Sequence, residues 1–162
     1  MALRHSRKEM KILAKNNGFS DKEAQPLDVD YDGCYHGNDD NVPPATAVRI
    51  DGCDEMPCQV PRGQDIKAQM DFTTGKPASK LTVQVRVKAL GFWVDYPIGY
   101  DDACPHLSAG KCPLSPGDSA TYDIQIPVLP SYPKISIEVE VTLKNENGDS
   151  LSCFLVAGEV VD

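Results

Sequence analysis

The chain has 162 residues, a formal net charge of −8, 41% hydrophobic and 7% aromatic residues. That length accommodates one domain. Residues 1–25 carry six basic and three acidic side chains, leaving −11 on residues 26–162. So acidic a body is the wrong partner for nucleic acid, which needs clustered Lys and Arg against phosphate.

Residues 1–25 read as a polar N-terminal arm outside the fold. Leu3, Met10, Ile12 and Leu13 suit a short amphipathic helix, which Asn16-Asn17-Gly18 ends. The arm has no apolar core of the ~7–15 residues that a secretory signal needs, and no segment is apolar enough to cross a membrane as a helix. No Asn-x-Ser/Thr triplet occurs, so no N-glycan is expected to address the protein to lysosomes.

From Leu27 onward the pattern is β, and residues 26–162 are expected to form the domain. Strands are expected near 28–33, 46–51 and 64–73. Thr82 to Val87 alternates with period two, as does Tyr122 to Ile126, with Val128 continuing the inward set past Pro127. Ile135, Ile137, Val139, Val141 and Leu143 face one way along the clearest run. Such alternation belongs to half-buried antiparallel strands. Asn147-Gly148 suits a hairpin turn with positive φ, and Leu151 to Val161 returns as the last strand. The expected fold is all-β, an immunoglobulin-like sandwich of about seven antiparallel strands. Lys76, Lys80, Arg86 and Lys88, a run without an acid, read as a solvated strand face; the other reading is a contact with an anionic membrane or partner.

Cys34, Cys53, Cys58, Cys104, Cys112 and Cys153 make an even set. Six allow fifteen pairings, and spacing alone does not choose among them. Cys53/Cys58 and Cys104/Cys112 each flank a Pro-bearing loop short enough to clip, which would leave Cys34 to tie the first strand to the last through Cys153. Such usage implies an oxidising compartment and a secreted, extracellular protein.

Candidate catalytic and metal sites fare poorly. Asp28-Val29-Asp30-Tyr31-Asp32-Gly33 starts like an EF-hand loop, but position twelve is Asp39, where Glu is wanted, and prolines displace both helices. Cys34-Tyr35-His36 and Cys104-Pro105-His106 repeat a C-x-H spacing that matches no common zinc pattern. There is no nucleophile elbow, no phosphate-cradling glycine loop and no identifiable carboxylate pair. The protein is expected not to be an enzyme, to need no cofactor and to bind no metal.

A cluster of aromatics beside proline is more telling. Phe92, Trp93, Tyr96 and Tyr100 crowd a stretch containing Gly91, Pro97 and Gly99, and Tyr132 precedes Pro133. Aromatics on irregular backbone beside a cystine loop suit the rim or lid of an apolar pocket.

At these residues the chain resembles the Niemann-Pick type C2 and mite group 2 allergen family, the lipid-recognition domains of ML type, over roughly residues 28–161. The resemblance rests on six cysteines in order, C-x₄-C at Cys53 to Cys58, V-x-Y-P-I at Val94 to Ile98, and Cys112-Pro113-Leu114. It rests also on P-V-x-x-x-Y-P at Pro127 to Pro133 and Cys153-Phe154. It implies the pairs Cys34–Cys153, Cys53–Cys58 and Cys104–Cys112, and two sheets splayed around an apolar cavity. Tyr96, Val128 and Tyr132 fall at the family's ligand entrance. The wall would come from Phe72, Val83, Val85, Val94, Pro113, Tyr122, Ile124, Ile126, Ile137, Val139 and Phe154, faces assigned by alternation.

The Cys104–Cys112 loop is closer in length to those of arthropod members, whose ligands include fatty acids, sterols and semiochemicals. The resemblance thus implies a monomeric secreted carrier of a small hydrophobic lipid, with a membrane or membrane receptor as the exchange partner. Two other readings stand beside it. One is an innate-immunity protein presenting a microbial glycolipid to a receptor; the other is a closed sandwich with no ligand.

Overall fold

The computed structural model describes Cys34 and residues 42–162. The arm at 1–25, the strand expected at 28–33, the EF-hand-like loop and His36 lie outside the described residues.

Nine strands run in chain order: β1 Ala47–Ile50, β2 Cys58–Pro61, β3 Ile66–Thr73, β4 Thr82–Ala89, β5 Phe92–Asp95, β6 Leu107–Ala109, β7 Ser119–Ile126, β8 Ser136–Lys144 and β9 Ser150–Val161. They form two sheets, β1-β3-β7-β6 facing β2-β9-β8-β4-β5. The all-β sandwich expected from alternation is present, but nine strands are described where about seven were expected. One pairing is not antiparallel: β2 runs parallel to β9, Cys58 opposite Gly158 and Val60 opposite Val160. Among the described residues the one helical element is a 3₁₀ turn at Cys104–His106.

The additional strands are short edges that alternation does not reveal. β5 lies in the aromatic stretch read from sequence as irregular. It pairs with β4, Ala89 opposite Phe92 and Lys88 opposite Trp93. The hairpin between them turns on Leu90 (φ 54°) and Gly91 (φ 85°), the two positive angles that a tight two-residue turn requires. The β8–β9 connection is longer. Gly148 takes a positive φ of 82°, while the Asn145 side-chain carbonyl accepts the backbone N–H groups of Asn147 and Asp149 at 3.0 and 2.9 Å.

Burial along β3 and β7 alternates as the sequence requires. β8 departs from it. Ile137, Val139, Val141 and Leu143 face inward, yet Glu140 and Thr142 on the opposite face are also buried. Thr142 stands across from Cys153, and the Cys34–Cys153 disulfide lies over this face, bringing both sulfurs within 4.8 Å of the Glu140 carboxylate. Pro43 and Ala45 extend the sheet along β9 through Cys153, which hydrogen-bonds both by its backbone. Glu140 Oε1 has Arg86 Nη1 at 3.7 Å and accepts no hydrogen bond.

The other two disulfides are Cys53–Cys58 and Cys104–Cys112, the set that the resemblance implied. The basic run lies against acids: Lys76 near Asp149, Arg86 near Asp95 and Glu140, Lys88 near Glu138, all at 3.5–4.0 Å. Three of the four basic side chains of the run thus lie beside acids.

The space between the sheets is filled unevenly. One half holds Phe72 and Tyr122 with Met70, Leu81, Val141 and Leu143, all at most 1% exposed. The other half is built from the opposite strand ends, which supply aliphatic side chains. Large rings close the first half; smaller side chains leave the second open.

Candidate functional site: an apolar chamber between the sheets

At the open end lies a cavity of about 330 Å³, within the ~300–1,000 Å³ usual for small-molecule pockets. Its inner wall comes from Ile66, Ile126 and Val139; Val87, Ala89, Ile137 and Val160 extend it, with Val60 from β2 closing one side. Val94, Tyr96, Val128, Tyr132, Pro133 and Ile135 form the mouth, with Leu90 of the β4–β5 hairpin. Among the described residues no charged side chain lines it.

Each mouth residue is placed by its neighbours in sequence. Tyr96 follows β5 directly, and its backbone N–H donates to Val85 at 2.9 Å. Past the end of β7, Val128 continues the inward set, and its carbonyl accepts Gly63 N–H at 2.9 Å, pinning the loop onto the β2–β3 turn. Tyr132 sits on a turn closed by its own N–H to Leu129, and its carbonyl accepts Arg62 Nη1 at 3.2 Å. Arg62 and Lys134 both pair with Asp162, whose carboxyl they hold below the usual range.

The two tyrosines meet across the opening. Their rings stand edge-to-face with centroids 6.3 Å apart, and the hydroxyl oxygens are 2.9 Å apart. The Tyr96 hydroxyl also donates to the Pro127 carbonyl. A carbonyl only accepts and a phenol has one proton, so with Tyr96 donating to Pro127, Tyr132 donates to Tyr96. Burial pushes the Tyr96 phenol well above its ordinary value.

Of the fourteen residues expected to meet a ligand, Val94, Tyr96, Ile126, Val128, Tyr132, Ile137 and Val139 surround this chamber. Phe72, Val83, Val85, Tyr122, Ile124 and Phe154 stand deeper, in the packed core. Pro113 is exposed on the cystine loop. Alternation found the inward face along the strands, though not for Pro113, and did not give the depth at which the core stops being filled. Val60, Ile66, Val87, Ala89, Leu90, Pro133, Ile135 and Val160 also line the chamber without having been singled out. Val87 and Ile135 belonged to runs already seen as inward-facing, whereas nothing local marks Val60 or Leu90.

The aromatic cluster divides. Phe92 projects from the hairpin, 73% exposed, and Trp93 faces outward under Arg86, whose guanidinium carbon is 5.3 Å from the ring centroid. Tyr100 has left the mouth altogether. It stacks on His106 at 3.9 Å and shares a 2.7 Å hydrogen bond with Tyr122, whose burial raises its pKa strongly.

Two facing sheets, three disulfides and an apolar chamber with a tyrosine pair at its mouth define the class, a β-sandwich with an inter-sheet cavity, and comparison with known proteins agrees. Residues 28–160 match the family model described as the ML domain. Over 117 residues, 71% of this chain and 78% of the relative, the sequence is 32% identical to NPC intracellular cholesterol transporter 2 homolog a of Drosophila melanogaster. It is 25% identical over 127 residues to mite group 2 allergen Lep d 2 of Lepidoglyphus destructor, covering 78% of this chain and 83% of that one. In fold it is similar to a Niemann-Pick type C2 protein from the Japanese carpenter ant, with a TM-score of 0.69 and 22% identity, over 81% of this chain and 98% of that one. The chain belongs to the ML-domain family, alongside the Niemann-Pick type C2 proteins and mite group 2 allergens.

Proposed function

We propose that the protein is a non-catalytic, secreted carrier that takes a small hydrophobic lipid, a sterol or long-chain fatty acid or a semiochemical of that kind, into the inter-sheet chamber and releases it elsewhere. The observation that carries the reading is a 330 Å³ cavity with an all-apolar wall, opening between Tyr96, Val128 and Tyr132. Relatives named as cholesterol transporters support it.

The driving force is removal of ligand surface from water. An 18-carbon chain offers ~0.8 kcal/mol per buried CH₂, so ~13 kcal/mol gross. Immobilising ligand and mouth removes several of these, and ~0.3–0.4 kcal/mol per heavy atom leaves ~6–8 net, a micromolar or somewhat weaker complex. Such affinity suits a carrier that must also release.

Release needs a surface to dock on. Leu90, Phe92, Val94 and Leu129 are all at least 51% exposed, and Leu90 and Val94 also line the chamber. An apolar rim continuous with an apolar pocket suits contact with a membrane or membrane receptor while the ligand crosses. Binding of a phosphorylated microbial glycolipid is less favoured, because the chamber has no basic side chain.

The test is native extraction. The oxidised protein, purified from a eukaryotic secretory host, is extracted with organic solvent and its lipid identified by mass spectrometry. A stoichiometric small hydrophobic lipid is expected. A protein that is empty and also takes up neither fluorescent sterol nor fluorescent fatty acid would be a closed module, and the carrier reading would fall.

A further inference from the structure

The inter-sheet space has a second opening, at the side of the sandwich between β1–β3 and β2–β9. A cavity of about 420 Å³ lies there, with Ile50, Ala68, Phe154 and Val156 on its inner wall. Val60, Ile66, Ile126 and Val139 line both this cavity and the mouth chamber. Both spaces lie between the same two sheets, so no strand runs between them. Four aliphatic side chains form the waist, so the lining that the two cavities share is wholly apolar.

The two ends offer different chemistry. The mouth chamber has no charged side chain, and its two tyrosine hydroxyls are hydrogen-bonded to each other and to Pro127. The side opening is rimmed by Asp51, Gln59, Gln64, Asp65 and Lys67, two carboxylates against one amine. Asp65 accepts a 3.4 Å hydrogen bond from Gln125. An ionised carboxylate would meet no counter-charge at the first end and a net negative rim at the second. A hydroxyl, by contrast, loses little on leaving water where carboxylates accept its hydrogen bond.

Resting on the carrier reading above, we propose that the ligand is an extended aliphatic chain ending in an un-ionised hydrogen-bond donor, a long-chain alcohol being the simplest case. Its polar end sits at the side opening beside Asp51 and Asp65, and its tail passes the waist into the chamber under Tyr96 and Tyr132. The side opening selects the head; the mouth chamber holds the tail.

Competitive displacement of a fluorescent fatty-acid or sterol probe tests this at neutral pH, comparing hexadecan-1-ol with hexadecanoate. The alcohol is expected to bind at least about tenfold tighter, a difference of ~1.4 kcal/mol. Asp51 and Asp65 are exposed, so the double variant Asp51→Lys, Asp65→Lys should fold normally by circular dichroism while cancelling or reversing the preference. Gly158→Val supplies a second variant. A Cβ on Gly158 already meets Val60 Cγ2 at 3.3 Å and Ile137 Cγ1 at 3.4 Å, so the larger side chain narrows the route and should weaken hexadecan-1-ol more than octan-1-ol. A wild-type protein without the alcohol preference, or a preference unmoved by charge reversal, would overturn the side-opening assignment and leave the carrier reading standing. If neither the probes nor any competitor binds, it is the carrier reading itself that fails.

Discussion

Tyr96 and Tyr132, thirty-six residues apart in sequence, hold their hydroxyl oxygens 2.9 Å apart across the only all-apolar chamber seen among the described residues. Tyr96 comes from the end of an edge strand and Tyr132 from a loop pinned to the β2–β3 turn, so their contact closes the mouth by joining the two sheets. Opening requires that link to break or the loop to lift with it.

Tyr96→Phe removes both hydrogen bonds and leaves Pro127, an exposed residue, without this donor. A loss of about 1–2 kcal/mol in urea unfolding is expected, together with faster lipid dissociation in stopped-flow displacement. Tyr132→Phe keeps the Tyr96–Pro127 bond and should cost less while still speeding release. Unchanged off-rates in both variants would mean that the pair does not gate.

Val128 is only 7% exposed and lines the chamber wall behind the mouth. Val128→Trp should fill the entrance, lowering lipid affinity at least about tenfold while the circular dichroism spectrum and cooperative unfolding persist. Unaltered affinity in the folded variant would place the entrance elsewhere.

The raised phenol pKa values of Tyr96 and Tyr122 have a pH consequence. A group whose folded-state value lies above its unfolded value stabilises fully below the unfolded value, about 10 for tyrosine, and loses that stabilisation as pH rises towards the folded value. Stability should therefore hold up to about pH 10 and fall beyond it, with part of the tyrosinate absorbance appearing only with unfolding. Complete ionisation of all tyrosines in a folded protein near pH 10 would contradict this.

Leu90 is a non-glycine residue at φ 54° and 78% exposed. The left-handed conformation costs an L-residue roughly 1–2 kcal/mol, less for asparagine. Leu90→Asn should raise thermal stability by up to ~1 kcal/mol and slow lipid transfer to vesicles, since an apolar rim residue is lost. A stabilised variant with normal transfer would separate the turn from docking.

The Cys34–Cys153 bond encloses 119 residues of sequence and Cys104–Cys112 only 8. On loop-closure entropy, Cys34→Ser with Cys153→Ser should cost about 5 kcal/mol and Cys104→Ser with Cys112→Ser about half that. Denaturant midpoints give the comparison. Equal costs would shift the explanation from chain entropy to local packing.

Much of the fold was legible in the chain. Alternation in β3, β4, β7 and β8 follows from the two-residue period of a strand, and a shift of one residue would turn the aliphatic stripe to the other face; that Glu140 and Thr142 on the opposite face of β8 are buried too was not legible in it. Family motifs carried the disulfide set and located Tyr96, Val128 and Tyr132 near one another. Edge strands were harder. β5 is four residues of mostly aromatic sequence with one neighbour, and its identity depends on the Leu90-Gly91 turn folding it onto β4. The parallel β2–β9 pair depends on strands nearly a hundred residues apart in sequence.

By itself the sequence determined the class of molecule: an acidic, cystine-rich, all-β domain with inward aliphatic stripes, because composition and period are local properties. Only the tertiary structure decided where the interior is filled and where it is open. Phe72, Tyr122 and Leu143 converge from three strands on one half of the sandwich and close it. Ile126, Ile137 and Val139 converge on the other half and leave a chamber. Each is equally inward-facing in its own strand; whether a side chain packs a core or lines a pocket is set by the volumes of the residues opposite, which no local pattern contains.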